Sequence, residues 1–150
     1  MMFRGHYEHT IDAKGRTSLP ARFRHGLPAE GDTRLVIAPA LADPCLDVYP
    51  MEAWEAFEAK VAQLPKWDRD TVLLRRRYVS AAVEAELDKH GRILVPAPLR
   101  EHAALAKDVL WAGVGTTMEL WAKARWEDAQ HLDDAQLEQW RSAIAEKLNL

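Results

Sequence analysis

An internal repeat constrains the fold of this chain more than any other feature of its sequence. Residues 12–24 read DAKGRTSLPARFR and residues 88–100 read DKHGRILVPAPLR, and the two segments agree without gaps at six of thirteen positions. A second matching block follows each copy, because residues 46–49 correspond to residues 118–121. Two blocks that match in the same order indicate a duplicated module, so the fold must accommodate two copies of one unit.

Each copy has the sequence pattern of short strands followed by a helix. Apolar and polar residues alternate over 7–12 and over 83–88, which is the period of a half-buried strand. The motif Asp-x-x-Gly-Arg then predicts a tight turn, because Asp can accept a hydrogen bond from its downstream backbone and Gly tolerates a positive φ. Further strands are predicted at 17–19, 35–38, 46–49, 93–95, 109–112 and 118–121, and helices at 51–64, from 68 onward and from 124 onward.

Charge is distributed unevenly along the chain, whose formal net charge is −3. Residues 1–25 contain five Lys or Arg and two acidic residues, whereas residues 101–150 contain five Lys or Arg and nine acidic residues. A basic face on a mildly acidic protein is a candidate phosphate-binding surface. With one cysteine, no apolar run long enough for a membrane span and no secretory signal pattern, we expect a cytoplasmic protein that makes no membrane contact.

The sequence contains no arrangement that is typical of an enzyme. The six histidines are scattered, a single cysteine excludes a Cys-rich zinc pattern, and no Gly-rich phosphate loop is present. Cys45 lies between Pro44 and Leu46, a context that favours a small buried residue over a nucleophile. We therefore predict a protein that is not an enzyme and that has no catalytic residue, metal, cofactor or small-molecule ligand.

The arginines of the repeated motif are the candidate DNA-binding residues. Arginine can donate two N–H groups to N7 and O6 of guanine, which distinguishes G·C from A·T in the major groove. Arg16 and Arg92 follow the glycine turns, where a long side chain can project outward, and Arg16 lies in the more basic copy. We predict that both contact DNA, and that Arg16 contributes more. The other predicted DNA contacts are the remaining basic residues of the turns and of the neighbouring segments: Lys14, His90, Arg4, Arg22, Arg24 and Arg100.

Each of these predictions has a structural alternative. Arg16 could form only a surface salt bridge with Asp12, and such pairs contribute little to stability. Arg24 and Arg100 could equally be arginines at the edge of the core, with buried stems. We assign structural roles in the turns to four residues: Asp12, Gly15, Asp88 and Gly91.

The repeated motifs resemble those of the MraZ family of bacterial regulators, whose modules belong to the AbrB-like (SpoVT-AbrB) group. The resemblance spans about residues 2–128. It rests on Phe3-Arg4-Gly5, the first Asp12-x-Lys14-Gly15-Arg16, Leu19-Pro20, Phe23-Arg24, Pro44-Cys45-Leu46 with Tyr49-Pro50 and Trp54, and the second Asp88-x-x-Gly91-Arg92 with Pro96.

This resemblance implies a mixed, mainly β fold: a swapped-hairpin barrel of two pseudo-symmetric repeats with peripheral helices. We place the first module at residues 6–53, linker helices at 54–81, the second module at 82–125 and a helical tail at 126–150. Family resemblance further implies a homo-oligomeric ring, associated with the nucleoid, that binds repeated G-rich boxes in double-stranded DNA. It would repress a division and cell-wall gene cluster that includes its own promoter. The alternative is a ring-forming scaffold or antitoxin-like interaction protein whose DNA contact is secondary.

Overall fold

Strands and helices repeat in the same order in both copies, across residues 2–150, which are the residues that this computed structural model describes. The first copy contributes β1 (Phe3–Thr10), β2 (Arg16–Ser18), α1 (Ala21–His25), β3 (Leu35–Pro39), β4 (Leu46–Pro50) and α2 (Met51–Ala62). Helix α3 (Arg69–Leu74) and a π-helical turn (Arg75–Val79) lead to the second copy. That copy contributes β5 (Val83–Ala85), β6 (Arg92–Leu94), α4 (Ala97–Ala103), β7 (Asp108–Gly115), β8 (Met118–Ala122), α5 (Lys123–Gln130) and α6 (Asp134–Leu148).

The two copies exchange strands. One antiparallel sheet has the order β1-β7-β8-β4-β3-β5, so that β1 of the first copy pairs with β7 of the second and β5 of the second pairs with β3 of the first. Strands β2 and β6, one from each copy, form a separate two-stranded antiparallel ribbon. The mixed α and β class and the exchange between pseudo-symmetric repeats are therefore confirmed. The six-stranded sheet is open in its pairing, and closure into a barrel stays a prediction.

The main core lies between the sheet and the ribbon. Side chains of β3, β4, β7 and β8, such as Ile37 and Trp111, are fully buried against Ile93 of the ribbon and its flanking helices. Helices α1 and α4 contribute Phe23 and Leu99 to the same cluster. Complete burial of one such side chain stabilises the fold by about 1.5–3 kcal/mol, so this core fixes the ribbon to the sheet. A second cluster lies on the other side of the sheet, beneath α2 and the π-helical turn, and includes Trp54 and Tyr78.

Some elements differ from the sequence-based expectation. Helices α1 and α4 were not predicted, since five and seven residues are too few to show a helical period. Strand β5 ends at Ala85, although the alternating pattern continues to residue 88, because its partner β3 begins opposite it at Leu35. The tail forms two helices, and α6 begins with a capping box between Asp133 and Gln136.

Candidate nucleic-acid interface

The two Asp-x-x-Gly-Arg motifs form turns with nearly the same geometry. In the first turn, Oδ1 of Asp12 accepts hydrogen bonds from the backbone N–H groups of Lys14 (3.0 Å) and Arg16 (2.9 Å). In the second, Oδ1 of Asp88 accepts from the corresponding groups of His90 (2.8 Å) and Arg92 (2.9 Å). The glycines, residues 15 and 91, adopt φ values of +92° and +76°, which L side chains rarely adopt. Each turn therefore depends on an acceptor at its first position and on glycine at its fourth.

The same carboxylates orient the two arginine side chains. Arg16 donates from Nε to Oδ2 of Asp12 at 2.7 Å, and Arg92 donates from Nε to Oδ2 of Asp88 at 2.9 Å. The backbone N–H of Arg16, followed by its side chain, lowers the pKa of Asp12 below its usual range. The backbone N–H groups of Arg92 and His90 and the Arg92 side chain lower the pKa of Asp88 to about 2. Among the described residues, each guanidinium thus has its Nε held and its two Nη nitrogens available to an outside acceptor.

The register of the β2–β6 ribbon brings both arginines to one face. Arg16 is opposite Leu94 and Arg92 is opposite Ser18, while the pair between them, Thr17 and Ile93, is buried in the core. Side chains alternate between the two faces of a strand, so Arg16 and Arg92 both point away from the core. They are diagonal neighbours, a relation that corresponds to about 7–8 Å between backbone positions.

Ser18 and Leu94 share this outward face, and the sequence analysis did not single them out. Leu94 is 55% exposed, which is high for a leucine within a strand pair. The sequence could have indicated the position of both residues, because each lies two residues after a motif arginine and must therefore share the face of that arginine in a strand.

The predicted contacts fall into two groups by their position. Lys14 and His90 lie in the turns and are exposed, next to the ribbon arginines. Arg22 is exposed on α1, which follows β2 after Pro20. Arg4 is exposed near the start of β1, where it pairs with Val114. Arg4 lies six positions before the end of that strand, roughly 20 Å along it, so the fold does not bring Arg4 to the first turn.

Arg24 and Arg100 are half-buried, and their guanidinium groups bond to the backbone. Arg100 donates from Nη1 to the carbonyl oxygens of Val95 (2.6 Å) and Lys14 (3.1 Å). Arg24 donates from Nη1 to the carbonyl oxygen of Leu19 at 3.0 Å. Burial, together with the charge of Arg24, lowers the pKa of nearby His9.

A thiol and two carboxylates meet on the sheet, away from the ribbon. The ligand atoms of Cys45, Asp47 and Glu119 lie within 4.8 Å of one another, and burial raises the pKa of all three. Asp47 accepts a hydrogen bond from the Tyr78 hydroxyl at 2.5 Å, and Glu119 accepts one from Nε1 of Trp121 at 3.1 Å. These contacts tie both carboxylates to the protein interior, and we assign them a structural role.

Comparison with known proteins gives one consistent result. A family described as "MraZ protein, putative antitoxin-like" matches residues 2–77 and 79–147. Proteins named "Transcriptional regulator MraZ" are similar over most of the chain. The relative from Thermoanaerobacter pseudethanolicus is 47% identical over 148 residues, 99% of this chain and 97% of its own length. The one from Moorella thermoacetica is 45% identical over 147 residues, 98% of this chain and 96% of its own. The one from Heliobacterium modesticaldum is 48% identical over 125 residues, 83% of this chain and 84% of its own length.

Within residues 2–150, no helix combines the length and the apolar content needed to cross a membrane.

Proposed function

Since this chain belongs to the MraZ family of transcriptional regulators, we propose that it regulates transcription by binding double-stranded DNA with the outward face of its β2–β6 ribbon. Family membership makes the chain a transcriptional regulator and not an enzyme, as the sequence predicted. The observation that carries the DNA proposal is the pair of arginines, Arg16 and Arg92, on one ribbon face with their Nε atoms held by carboxylates.

The ribbon has the shape and the donors that major-groove recognition needs. The major groove of B-DNA admits a two-stranded β-ribbon, and its base edges present the acceptors N7 and O6 at each guanine. With Nε fixed, the Nη nitrogens of Arg16 and Arg92 can each donate a pair of hydrogen bonds to one guanine. Exposed Lys14 and Arg22, with His90, are then the contacts to phosphate, which position the ribbon without reading sequence.

Charge makes the first copy the stronger contributor in this proposal. Each turn carries one lysine, Lys14 in the first and Lys89 in the second, but only the first copy has an arginine, Arg22, at the position of Pro98. A cation near the duplex strengthens association through counterion release. Arg4 adds to the positive potential of the first copy from the far end of β1 and is a candidate for contact with flanking DNA.

Self-association is the second part of the proposal. Helix α6 exposes Trp140 and Leu148, and Trp67, just before α3, is 83% exposed. Large exposed apolar side chains mark candidate contact surfaces. We propose that neighbouring copies cover them in a ring, so that several ribbons bind several G-rich boxes at once and gain affinity through effective concentration. The chain would then act in the cytoplasm on the nucleoid, as a repressor of the division and cell-wall cluster.

The test measures binding to DNA from upstream of the protein's own gene by fluorescence anisotropy at one fixed salt concentration. Loss of one guanine contact corresponds to about 1–3 kcal/mol, so Arg16→Ala should weaken binding by about 5- to 150-fold for each ribbon that is bound to the DNA. Arg92→Ala should weaken it less. The matched control Arg125→Ala removes an exposed arginine of α5, outside the ribbon, and should leave affinity within about twofold.

Two controls make the result decisive. Circular dichroism confirms that each variant is folded, and light scattering confirms that its oligomeric mass is unchanged. A folded Arg16→Ala variant with wild-type affinity would refute the ribbon as the DNA-binding surface. Weak binding by the wild-type protein, equal for promoter and unrelated DNA, would instead favour the scaffold or antitoxin-like alternative.

A further inference from the structure

We infer that Arg24 and Arg100 are positioning residues, each of which holds the DNA-reading turn of the opposite copy, rather than direct contacts to DNA. This inference rests on the proposed function of the ribbon. The basis of the inference is the position of the two guanidinium groups, which α1 and α4 determine. From the sequence alone, Arg24 and Arg100 could be either DNA contacts or arginines at the edge of the core.

The contact made by Arg100 joins the second copy to the first turn. Its Nη1 donates to the carbonyl oxygen of Lys14, inside that turn, and to the carbonyl oxygen of Val95 on its own side. Val95 in turn donates its backbone N–H to the carbonyl oxygen of Gly15 at 2.8 Å. Arg100 thus lies across the junction between the first turn and the end of β6. A Cβ atom on Gly15 would be 1.8 Å from Nη1 of Arg100, so only glycine leaves room for the guanidinium.

Arg24 makes the corresponding contact with the second turn. Its Nη1 donates to the carbonyl oxygen of Leu19, whose backbone N–H donates to the carbonyl oxygen of Gly91 at 2.9 Å. A Cβ atom on Gly91 would lie 2.5 Å from Nη1 of Arg24. The glycine of the second turn therefore also provides the surface on which an arginine from the other copy packs.

These contacts direct the guanidinium groups inward. Hydrogen bonds from a charged donor to backbone carbonyls are among the stronger ones in proteins, and here they hold Nη1 of each half-buried arginine against the protein. The residue after each glycine is the DNA-reading arginine, Arg16 or Arg92. Recognition needs such side chains held within about 0.5 Å of the productive geometry, so a loosened turn should weaken the base contact.

The contacts predict a crosswise pattern of coupling. Arg100, in the second copy, should act through Arg16 of the first, and Arg24 should act through Arg92. A residue that acts only through another adds no further loss once that other residue has been removed. A direct phosphate contact would give the opposite result, because its loss multiplies with every other loss.

The experiment is a set of double-mutant cycles on promoter binding, measured with full-length folded protein. The variants are Arg100→Ala and Arg24→Ala, each alone and combined with Arg16→Ala or Arg92→Ala. If Arg16→Ala and Arg100→Ala each weaken binding by about tenfold, their combination should still weaken it by about tenfold, whereas Arg92→Ala with Arg100→Ala should weaken it by the product of their two separate losses. Arg24→Ala should show the reverse pairing. Any alanine variant that does not fold is replaced by the lysine variant, which keeps the charge.

Salt dependence gives an independent measurement. A phosphate contact contributes about 0.9 to the slope of log K against log salt concentration. In the Arg16→Ala background, Arg100→Ala should leave that slope unchanged. Multiplicative losses in all four pairs, or a slope reduced by about one unit, would overturn the inference and identify direct contacts. Wild-type affinity of both Arg16→Ala and Arg92→Ala would instead overturn the proposed function, and the inference with it.

Discussion

Replacing Gly15 by alanine tests the structure of the first turn without changing any charge. Two features make this glycine sensitive: its φ of +92°, and the space above it, which Arg100 fills. Gly31 provides a matched control, since it has a similar φ of +106° but nothing lies within 4 Å of the position of a Cβ atom. A comparison of Gly15→Ala with Gly31→Ala therefore separates the cost of the backbone conformation from the cost of the contact.

The difference in unfolding free energy can be worked out from these contacts. A positive φ costs an alanine about 1–3 kcal/mol, and the stiffer unfolded chain offsets about 0.4–1 kcal/mol of that at both sites. At Gly15 the new Cβ would also lie 2.6 Å from the carbonyl oxygen of Val95 and displace Arg100. Loss of hydrogen bonds from a charged donor adds about 1.5–3 kcal/mol. We expect Gly15→Ala to cost about 2–5 kcal/mol, and Gly31→Ala to cost about 1.5–3 kcal/mol less.

Urea unfolding followed by tryptophan fluorescence measures both free energies, at one protein concentration because the proposed self-association would also stabilise the folded chain. Repeating the experiment with Arg100→Ala as the background measures how much of the cost of Gly15→Ala comes from the contact with Arg100. The cost of Gly15→Ala should fall there, because the nearest atom has been removed, while the cost of Gly31→Ala should not change. Equal costs for the two glycine variants in the wild-type background would show that Arg100 does not pack on the turn.

Two further predictions concern pH and stability. Burial raises the pKa of Glu119, so the charged form of this residue destabilises the fold. Glu119→Gln, which keeps an acceptor for Trp121, should therefore raise the melting temperature at pH 7. It should give no gain below about pH 4, where Glu119 is neutral in both the folded and the unfolded state. An equal gain at both pH values would contradict this origin. The pKa of Asp88 is lowered to about 2, so its stabilising effect is complete above about pH 4 and is lost as the pH falls toward 2. Asp88→Asn should therefore lower the melting temperature at pH 7 and flatten its decline between pH 4 and 2, whereas Asp128→Asn, at an exposed position on α5, should leave the melting temperature at pH 7 unchanged.

The repeat made much of this architecture predictable. Short apolar segments located the sheet strands β3, β4, β7 and β8 to within a few residues at each end, and β3 and β7 each carry four consecutive buried residues. The repeat alone does not determine which strands pair. Whether β1 pairs within its own copy or with β7 depends on tertiary packing, and only the family resemblance indicated the exchange.

The candidate site was predictable in its motif residues and not in its supporting contacts. Asp12 and Arg16 are four residues apart, so local geometry determines their hydrogen bond and the sequence could indicate it. Arg100 and Lys14 are 86 residues apart, and their contact exists only because the copies exchange strands and α4 lies beside the first turn. Local sequence patterns carry no information about a contact of that kind.

Joining the two copies in one chain allows a symmetric fold to carry asymmetric chemistry. Two identical modules from separate chains would place identical side chains at both ends of the ribbon, and such a pair matches a palindromic site. Here the ends differ. Lys14 at one turn corresponds to His90 at the other, and Arg100 donates to two backbone carbonyl oxygens whereas Arg24 donates to one. In the proposed complex the ribbon would therefore have a direction along the DNA, even though its backbone is nearly two-fold symmetric. Such a ribbon would suit boxes repeated head to tail, because each copy in the proposed ring would then meet its box in the same orientation.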